Sequence, residues 1–388
     1  MNVFIHQLAT SVPPHTATQD ALAAQFGVWA GDPTTARIIQ HVFRKSGIRR
    51  RYSVLPDFTD PARAELFRED SEGRLLQAAT QERNRVYGHC AGPMVVELAR
   101  ELLANAAGFA PADVTHVITV SCTGFINPGP DWALVTELGL ASTVERYNLG
   151  FMGCYAALPA LRMARQFCLA RPESVVLVVC LEFCSLHMQM QTTNDSILGN
   201  ALFADGAGAA LVSARTPADD EPVLSLDGFL SAMAPEGRSE MAWEIGNQGF
   251  NLVLSSYVPR IISANLSRIV GELLASGDLT AQDIALWAVH PGGRAILDEF
   301  EKSLALAPQQ IETSRAVLRD YGNMSSATIL FVLQQMLGQP AASSGPIAAM
   351  AFGPGLTVEC ALLHVVPARS SPPAHAVSEP ALAIATDN

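Results

Sequence analysis

The side chains best suited to chemistry are a cysteine, a histidine and an asparagine that lie far apart in the chain. Cys154 sits in NLGFMGCYAAL (148–158), where a glycine-rich turn delivers it to the start of an apolar helix. A helix N-terminus favours negative charge, so a thiol there is expected to have a lowered pKa and to act as a nucleophile. The same place also suits a small core residue, since free cysteines are often buried. His290 ends the apolar run WAVH (287–290) and meets a Pro-Gly-Gly turn. Loops at strand ends gather functional side chains. A histidine there can hold a thiolate as an ion pair or shuttle a proton; a hydrogen-bonded core histidine is the alternative. Asn323, in DYGNMSSA (320–327), follows a glycine at the start of a helix. Asparagine is a good N-cap, and its amide can also donate to a developing oxyanion. His89 and Cys90 are adjacent on a helix, where their side chains diverge, and read as structural. His187 follows Cys184 behind a buried strand and is placed to line a pocket.

The elements that must position these residues alternate between strand and helix. VTHVITV (114–120) is short and β-branched, and follows a helical stretch from about Met94 to Ala106. SVVLVVC (174–180) is almost continuously apolar, the pattern of a strand covered on both faces. It follows an amphipathic stretch from Tyr155 to Leu169. Residues 207–212 and 223–230 are further strands. A helix from Tyr257 to Ser276 precedes a strand over 283–289, a helix runs from Asn323 to Leu337, and strands over 346–352 and 356–365 close the pattern. Pro111-Ala-Asp-Val and Ala281-Gln-Asp-Ile open strands in the same way. This echo predicts two similar α/β halves, over 1–215 and 216–366. From Pro367 to Asn388 the chain is rich in Pro, Ser and Ala without periodicity and is expected to be a disordered tail.

Composition bounds the function. The chain has 388 residues, 49% hydrophobic and only 16% charged, so it must fill a large core. Its net charge of −12 with no basic tail argues against nucleic-acid binding. Mean hydropathy is +0.21, yet the best apolar run, Val175 to Leu181, stops at Glu182, far short of the ~20 residues a membrane span needs. Met1 to Leu8 lacks the basic start of a signal peptide. The seven cysteines form no CxxC and are odd in number, which suggests reduced thiols and a cytoplasmic protein. The only lysines, Lys45 and Lys302, lie outside any GxxxxGK[ST] loop, which excludes P-loop chemistry. HExxH and GxSxG are absent, and FGPG (352–355) lacks the third glycine of a dinucleotide loop. No metal site is expected.

Five segments together resemble the type III polyketide synthases, the chalcone-synthase-like branch of the thiolase superfamily. They are GFMGCYAALPALRMA (150–164), GNALFADGAGAALV (199–212), HPGGRAILDEFEKSLAL (290–306), YGNMSSATILFVL (321–333) and AFGPGLTVECALLH (351–364). The resemblance runs from about residue 3 to 366 and has a bacterial look. It implies a homodimeric, five-layer αβαβα fold with a Cys-His-Asn catalytic set at Cys154, His290 and Asn323. The implied reaction loads a starter acyl group from CoA onto Cys154. Malonyl-CoA then loses CO2, and the enolate, held by His290 and Asn323, attacks the thioester in repeated rounds before cyclisation to a pyrone or resorcinol. Acyl-CoA and malonyl-CoA are substrates; no other cofactor is implied.

The resemblance also carries over a set of cavity residues. Phe203 matches the aromatic between CoA tunnel and cavity. The second family aromatic is Leu252 here, which suggests a reshaped passage and a medium or long acyl starter. Phe250 compensates only if it points inward, which strand alternation is taken to oppose. Cys122, Thr123, Cys184, His187 and Ser325 fall where the family lines its cyclisation cavity. Phe352, Gly353, Pro354 and Gly355 match its GFGPG loop, with Ala351 for the first glycine. Asn127-Pro128 falls where the family has a cis-proline turn. CoA phosphates need cations; the densest basic cluster, Lys45, Arg49, Arg50 and Arg51, resembles the family's CoA entrance, although a solvated basic face is the alternative. Two other functions compete: a ketoacyl-ACP synthase of the III type, making a single condensation with the same three residues, and a non-catalytic acyl-binding protein.

Overall fold

The computed structural model describes residues 1–72, 75–218, 221–340, 342 and 345–368; of the tail expected over 367–388, all but the first two residues lie outside the described residues. In chain order the strands are β1 (Phe4–Ser11), β2 (His15–Thr18), β3 (Arg50–Ser53), β4 (His116–Ser121), β5 (Glu145–Gly150), β6 (Val175–Phe183), β7 (Asp205–Ser213), β8 (Val223–Met233), β9 (Met241–Gly246), β10 (Gly249–Leu254), β11 (Leu286–Val289), β12 (Ile347–Gly353) and β13 (Thr357–Val366). The helices are α1 (Gln19–Trp29), α2 (Pro33–Lys45), α3 (Thr80–Ala104), α4 (Pro130–Glu137), α5 (Ala157–Ala170), α6 (Asn194–Leu202), α7 (Val258–Ala275), α8 (Arg294–Ser303), α9 (Glu312–Tyr321) and α10 (Thr328–Leu337).

Nine strands form one mixed sheet in the order β11-β12-β13-β8-β1-β7-β6-β4-β5. Its two halves meet between β1 and β8, where Phe4 pairs Ser225, Ile5 pairs Leu224 and Leu226 N–H donates to Val3 O at 2.8 Å. Between the half-sheets lies a central core holding α5 and α10. A second core packs α1 to α4 on the outer face of the first half-sheet, and a third packs α7 and α8 on the outer face of the second. The layers are therefore helix, sheet, helix, sheet, helix, as the resemblance implies. β6 shows why its sequence is apolar throughout. Val176, Val178 and Cys180 face the central core, and Val175, Leu177, Val179 and Leu181 face the outer one, the period of two that a doubly covered strand requires. Across β7, a Cβ at Gly208 would sit 2.9 Å from Leu330 Cβ, so glycine is what lets α10 approach the sheet.

The echo between the halves has a physical basis. Asp113 accepts from Ala110 N at 2.8 Å before β4, and Asp283 accepts from Thr280 N at 2.7 Å before β11. One expectation falls short: α3 begins at Thr80, well ahead of Met94, and carries Pro93 inside it. Proline usually punctuates a helix, and the polar first half of α3 hides its helical period.

Candidate active site

Cys154 lies on the turn between β5 and α5. Two residues of that turn have left-handed backbone, Phe151 at φ 61° and Gly153 at φ 85°. A Cβ at Gly153 would lie 2.5 Å from Pro354 Cδ, so the loop over 353–356 closes directly on the turn. Phe151 holds its unfavourable φ by packing its ring against Phe125 and Phe250; a non-glycine residue in this region costs about 1–3 kcal/mol. The strained turn brings the thiol to an apolar cavity that also reaches His290, Asn323, Phe203 and Phe352. The three residues singled out in the sequence therefore meet in one chamber.

His290 follows β11 and is held by its backbone N–H on Met350 O at 2.7 Å. Both its ring nitrogens are buried and, among the described residues, have no hydrogen-bond partner. Asn323 is fixed on both sides. Its N–H donates to Leu202 O at 2.9 Å and its carbonyl accepts from Ala204 N at 2.8 Å, so it is locked to the Phe203 segment. Its side chain accepts from Ser325 N at 2.9 Å and donates to Gly292 O at 3.3 Å. α10 starts only at Thr328, so Asn323 is not its N-cap.

Burial dominates the electrostatics. It pushes the Cys154 thiol up to about 11, against the opposing pull of hydrogen bonds from Ser325 and Asn323. It also pushes His290 down to about 3. The lowered thiol pKa expected from the helix start is not found. α5 begins at Ala157, beyond the thiol, and the loss of water outweighs the helix end. Cys154 is nonetheless partly accessible, because the cavity reaches it.

The walls include Cys122, Thr123, Cys184, Leu252, Ser325 and Pro354, as expected. Gly353 and Gly355 flank Pro354 on the closing loop, and Gly355 has φ 73°. Ala351 sits in β12, where no glycine is needed. His187 lines an adjoining chamber. Its Nε2–H donates to Thr123 O at 2.8 Å and its Nδ1 accepts from Phe250 N at 3.2 Å. Burial takes it down to about 3, so it is a neutral wall. Phe250 corrects an expectation. It is buried and stacks on His187 with ring centroids 3.9 Å apart. Residues 250 and 252 are two apart on β10 and so share a face; alternation favours the inward position.

Two residues escaped the sequence reading. Glu182, at the end of β6, is fully buried. It accepts from Cys122 N at 2.9 Å, Thr123 Oγ1 at 3.0 Å and Ser326 Oγ at 2.5 Å. Burial raises it to about 7. Its signal was a lone carboxylate in an otherwise apolar strand. Trp243, on the β9–β10 hairpin, donates its indole N–H to Cys122 O at 2.8 Å and lines the cavity.

The basic cluster divides. Lys45 lines a surface chamber with His41 and Arg294, and this chamber shares Leu254, Gly292 and Ile296 with the catalytic cavity. Arg49 is exposed and pairs with Asp320 at 2.7 Å, and Arg50 Nε donates to Asp320 O at 3.3 Å. Arg51 is a correction: it is 3% exposed. It donates to Gln19 Oε1 at 3.0 Å and to Phe203 O at 2.6 Å, so it supports the Phe203 segment from beneath and faces no solvent-borne phosphate. The Asn127–Pro128 peptide is cis, as the resemblance implies.

Family models for the chalcone and stilbene synthase N-terminal and C-terminal domains match residues 2–216 and 227–367. The chain belongs to the chalcone and stilbene synthase family. It is a type III polyketide synthase, with the thiolase-like fold of that group. It is 31% identical over 376 residues to "Probable polyketide synthase 1" of Dictyostelium discoideum, covering 94% of this chain but 12% of that much longer protein. It is 32% identical to the "Alpha-pyrone synthesis polyketide synthase-like Pks18" of Mycobacterium tuberculosis, covering 93% of this chain and 91% of that one. Among solved structures, PKS-I of the brown alga Ectocarpus siliculosus matches with a TM-score of 0.86 at 29% identity, over 94% of this chain and 98% of that one. Among the described residues no helix is long and apolar enough to cross a membrane.

Proposed function

We propose that this synthase loads a starter acyl group from acyl-CoA onto Cys154 and extends it with two or more malonyl-CoA units before cyclisation. The observation that carries this reading is the convergence of Cys154, His290 and Asn323 on one apolar cavity joined to a cationic surface chamber. The burial of both groups makes the resting pair a neutral thiol and a neutral imidazole. His290 takes the thiol proton as Cys154 attacks the thioester and returns it to the departing CoA thiolate. Malonyl-CoA then loses CO2. The enolate oxygen is met by the His290 ring N–H and the Asn323 amide, two neutral donors that are aimed in advance and need no solvent reorganisation. The enolate carbon attacks the Cys154 thioester and displaces the cysteine thiolate, leaving the lengthened chain on CoA; its transfer back to Cys154 releases that CoA for the next round. Cyclisation gives a pyrone or a resorcinol-type ring; the relative named for α-pyrone synthesis supports the former.

Lys45, with Arg49 and Arg50 nearby, receives the CoA phosphates, and CoA thioesters are the sole small-molecule requirement. The protein works as a homodimer, supported by exposed Phe125 and Trp132 flanking the cis-proline turn and by the open edge strand β5. Seven unpaired cysteines support a reducing, cytoplasmic setting. The test is mass spectrometry of products from purified protein, [14C]malonyl-CoA and starters from acetyl- to palmitoyl-CoA, aromatic acyl groups included. Products with two or more malonyl-derived units are expected and should vanish in Cys154→Ala. Products limited to one extension, or requiring acyl carrier protein, would instead establish a single-condensation synthase.

A further inference from the structure

Asn323 sits where two segments of the chain meet. A parallel bridge joins it to Phe203, and both side chains line the catalytic cavity. Beneath this junction runs β3. Arg49, which leads into β3, donates its N–H to Arg319 O at 2.7 Å, and the Tyr52 ring stacks on Tyr321 with centroids 5.8 Å apart. Arg51 reaches under both segments at once. Its Nη1 donates to Phe203 O at 2.6 Å. A Cβ on Gly322, the residue before Asn323, would lie 2.9 Å from Arg51 Cγ and 3.1 Å from Ala204 Cβ. Gly322 also has φ 76°, so glycine is needed there both for its backbone and for this close approach.

Arg51 is itself held in place. Its Nε donates to Gln19 Oε1 at 3.0 Å. Gln19 in turn donates from Nε2 to Ser46 Oγ at 2.9 Å and to Ala201 O at 2.7 Å. The guanidinium lies 5.5 Å from the centre of the Phe43 ring. Asp205, fully buried one residue beyond Ala204, opposes the cost of burying the charge. It is fixed by Val54 N at 2.8 Å and Ser185 N at 2.7 Å. Burying a cation costs stability, and an apolar side chain of similar volume would fill the space without that cost. An apolar side chain could not offer a rigid planar fork to Gln19 and Phe203 together.

We propose that Arg51 is a positioning residue for Asn323: its fork fixes the Phe203 carbonyl and thereby sets where the Asn323 amide stands in the cavity. The path is short. Leu202 and Ala204 flank Phe203 and bracket the Asn323 backbone, with bonds of 2.9 and 2.8 Å, so a shift of the Phe203 carbonyl carries Asn323 with it. Cys154 and His290 stand on other elements, the turn before α5 and the end of β11, and among the described residues no hydrogen bond of Arg51 goes to either. Arg51 therefore acts on malonyl-CoA decarboxylation, where Asn323 meets the enolate, and hardly on acyl loading, which uses Cys154 and His290. The inference rests on the reading of Asn323 as the enolate donor.

The experiment measures two rates in each variant. Loading is the gain in intact mass at Cys154 with the best-loaded member of an acetyl- to palmitoyl-CoA series. Decarboxylation is the release of labelled CO2 from malonyl-CoA labelled in its free carboxyl, with no starter present. A merely structural role lowers both rates together through loss of folded protein, and the ratio of decarboxylation to loading cancels that loss. Arg51→Lys keeps the charge and loses the fork; its ratio should fall at least about 10-fold, within the roughly 100-fold that an ångström of misplacement costs. Gln19→Leu leaves the charges in place and frees one arm of the fork, so its ratio should fall in the same direction by a smaller factor. Asn323→Ala marks the floor. A ratio in Arg51→Lys that matches the parent's overturns the inference, whether both rates survive or fall together. Should Arg51→Lys give no folded protein by circular dichroism, Gln19→Leu decides in the same way. If Arg51→Lys is unmoved while Asn323→Ala has lost decarboxylation, only the inference fails. If Asn323→Ala decarboxylates as fast as the parent, the reading of Asn323 falls and the inference with it.

Discussion

A thiol that reacts as a thiolate needs help to lose its proton. At Cys154 burial works the other way, holding the thiol near 11, while the same burial keeps His290 near 3 and neutral. In the proposed reaction proton transfer then accompanies acyl transfer, and no standing ion pair precedes it. The consequence is a pH profile. Below the raised pKa, each pH unit multiplies the thiolate fraction by about ten. Alkylation of Cys154 by iodoacetamide in the unliganded protein should thus rise about tenfold per unit from pH 7 to 10, followed peptide by peptide in a mass spectrometer. A rate already level at pH 7 would mean a preformed thiolate–imidazolium pair. Cys122 and Cys184 line the same cavity but are more deeply buried than Cys154, and burial raises both well above the ordinary thiol range, so they should react far more slowly.

At the scale of elements, the site depends on how closely the loop after β12 closes on the turn before α5. Gly153 carries both a left-handed φ of 85° and contact with Pro354; Gly355 has φ 73° with open space around it. Gly355→Ala should therefore cost only the left-handed penalty, about 1–2 kcal/mol. Gly153→Ala adds an overpacking cost of about 1–3 kcal/mol and moves the thiol, so acyl loading should fall at least tenfold. Urea unfolding and intact-mass loading assays read the two effects; equal losses in both variants would show that the Pro354 contact is soft. These turns were only partly legible in the sequence. The apolar strands and the three reactive residues stood out because burial and glycine-rich turns leave strong patterns. Arg51 did not, because three adjacent arginines look alike in composition. The period of two along β3, which buries Arg51 and Ser53 and leaves Arg50 and Tyr52 half-exposed, is what separates them. The β9–β10 hairpin was missed as well. Its sequence, MAWEIG and GFNLVL, mixes apolar and polar residues because one face lines cavities while the other meets solvent.

The whole molecule poses an electrostatic problem. With 25 basic and 37 acidic residues its overall field repels the polyanionic CoA thioesters that the proposed reaction brings to Cys154. Local cations at the chamber mouth have to overcome that field, since charges beyond about 10 Å are largely screened at 0.1 M salt. Lys45 and Arg294 are the cations lining it. Arg294 was not among the expected CoA contacts, because it lies far along the chain from the Lys45 cluster; its stem packs within 3.6 Å of where a Cβ on Gly47 would be, which brings the two segments together. Its i,i+4 pair with Asp298 at 3.4 Å is exposed on both sides and such pairs contribute little stability, so removing it should spare the fold. Joint replacement, Lys45→Ala with Arg294→Ala, should raise KM for malonyl-CoA several-fold, with kcat falling much less. If these residues hold the CoA phosphates as proposed, they act away from the reacting carbons, so the binding lost is common to ground and transition states. Added salt distinguishes steering from mere contact. KM of the parent enzyme should climb between about 0.05 and 0.5 M ionic strength as screening tightens, and that climb should flatten in the double variant. An unchanged KM with an unchanged salt response would place the CoA route elsewhere on this acidic surface, and with it the assignment of the chamber mouth.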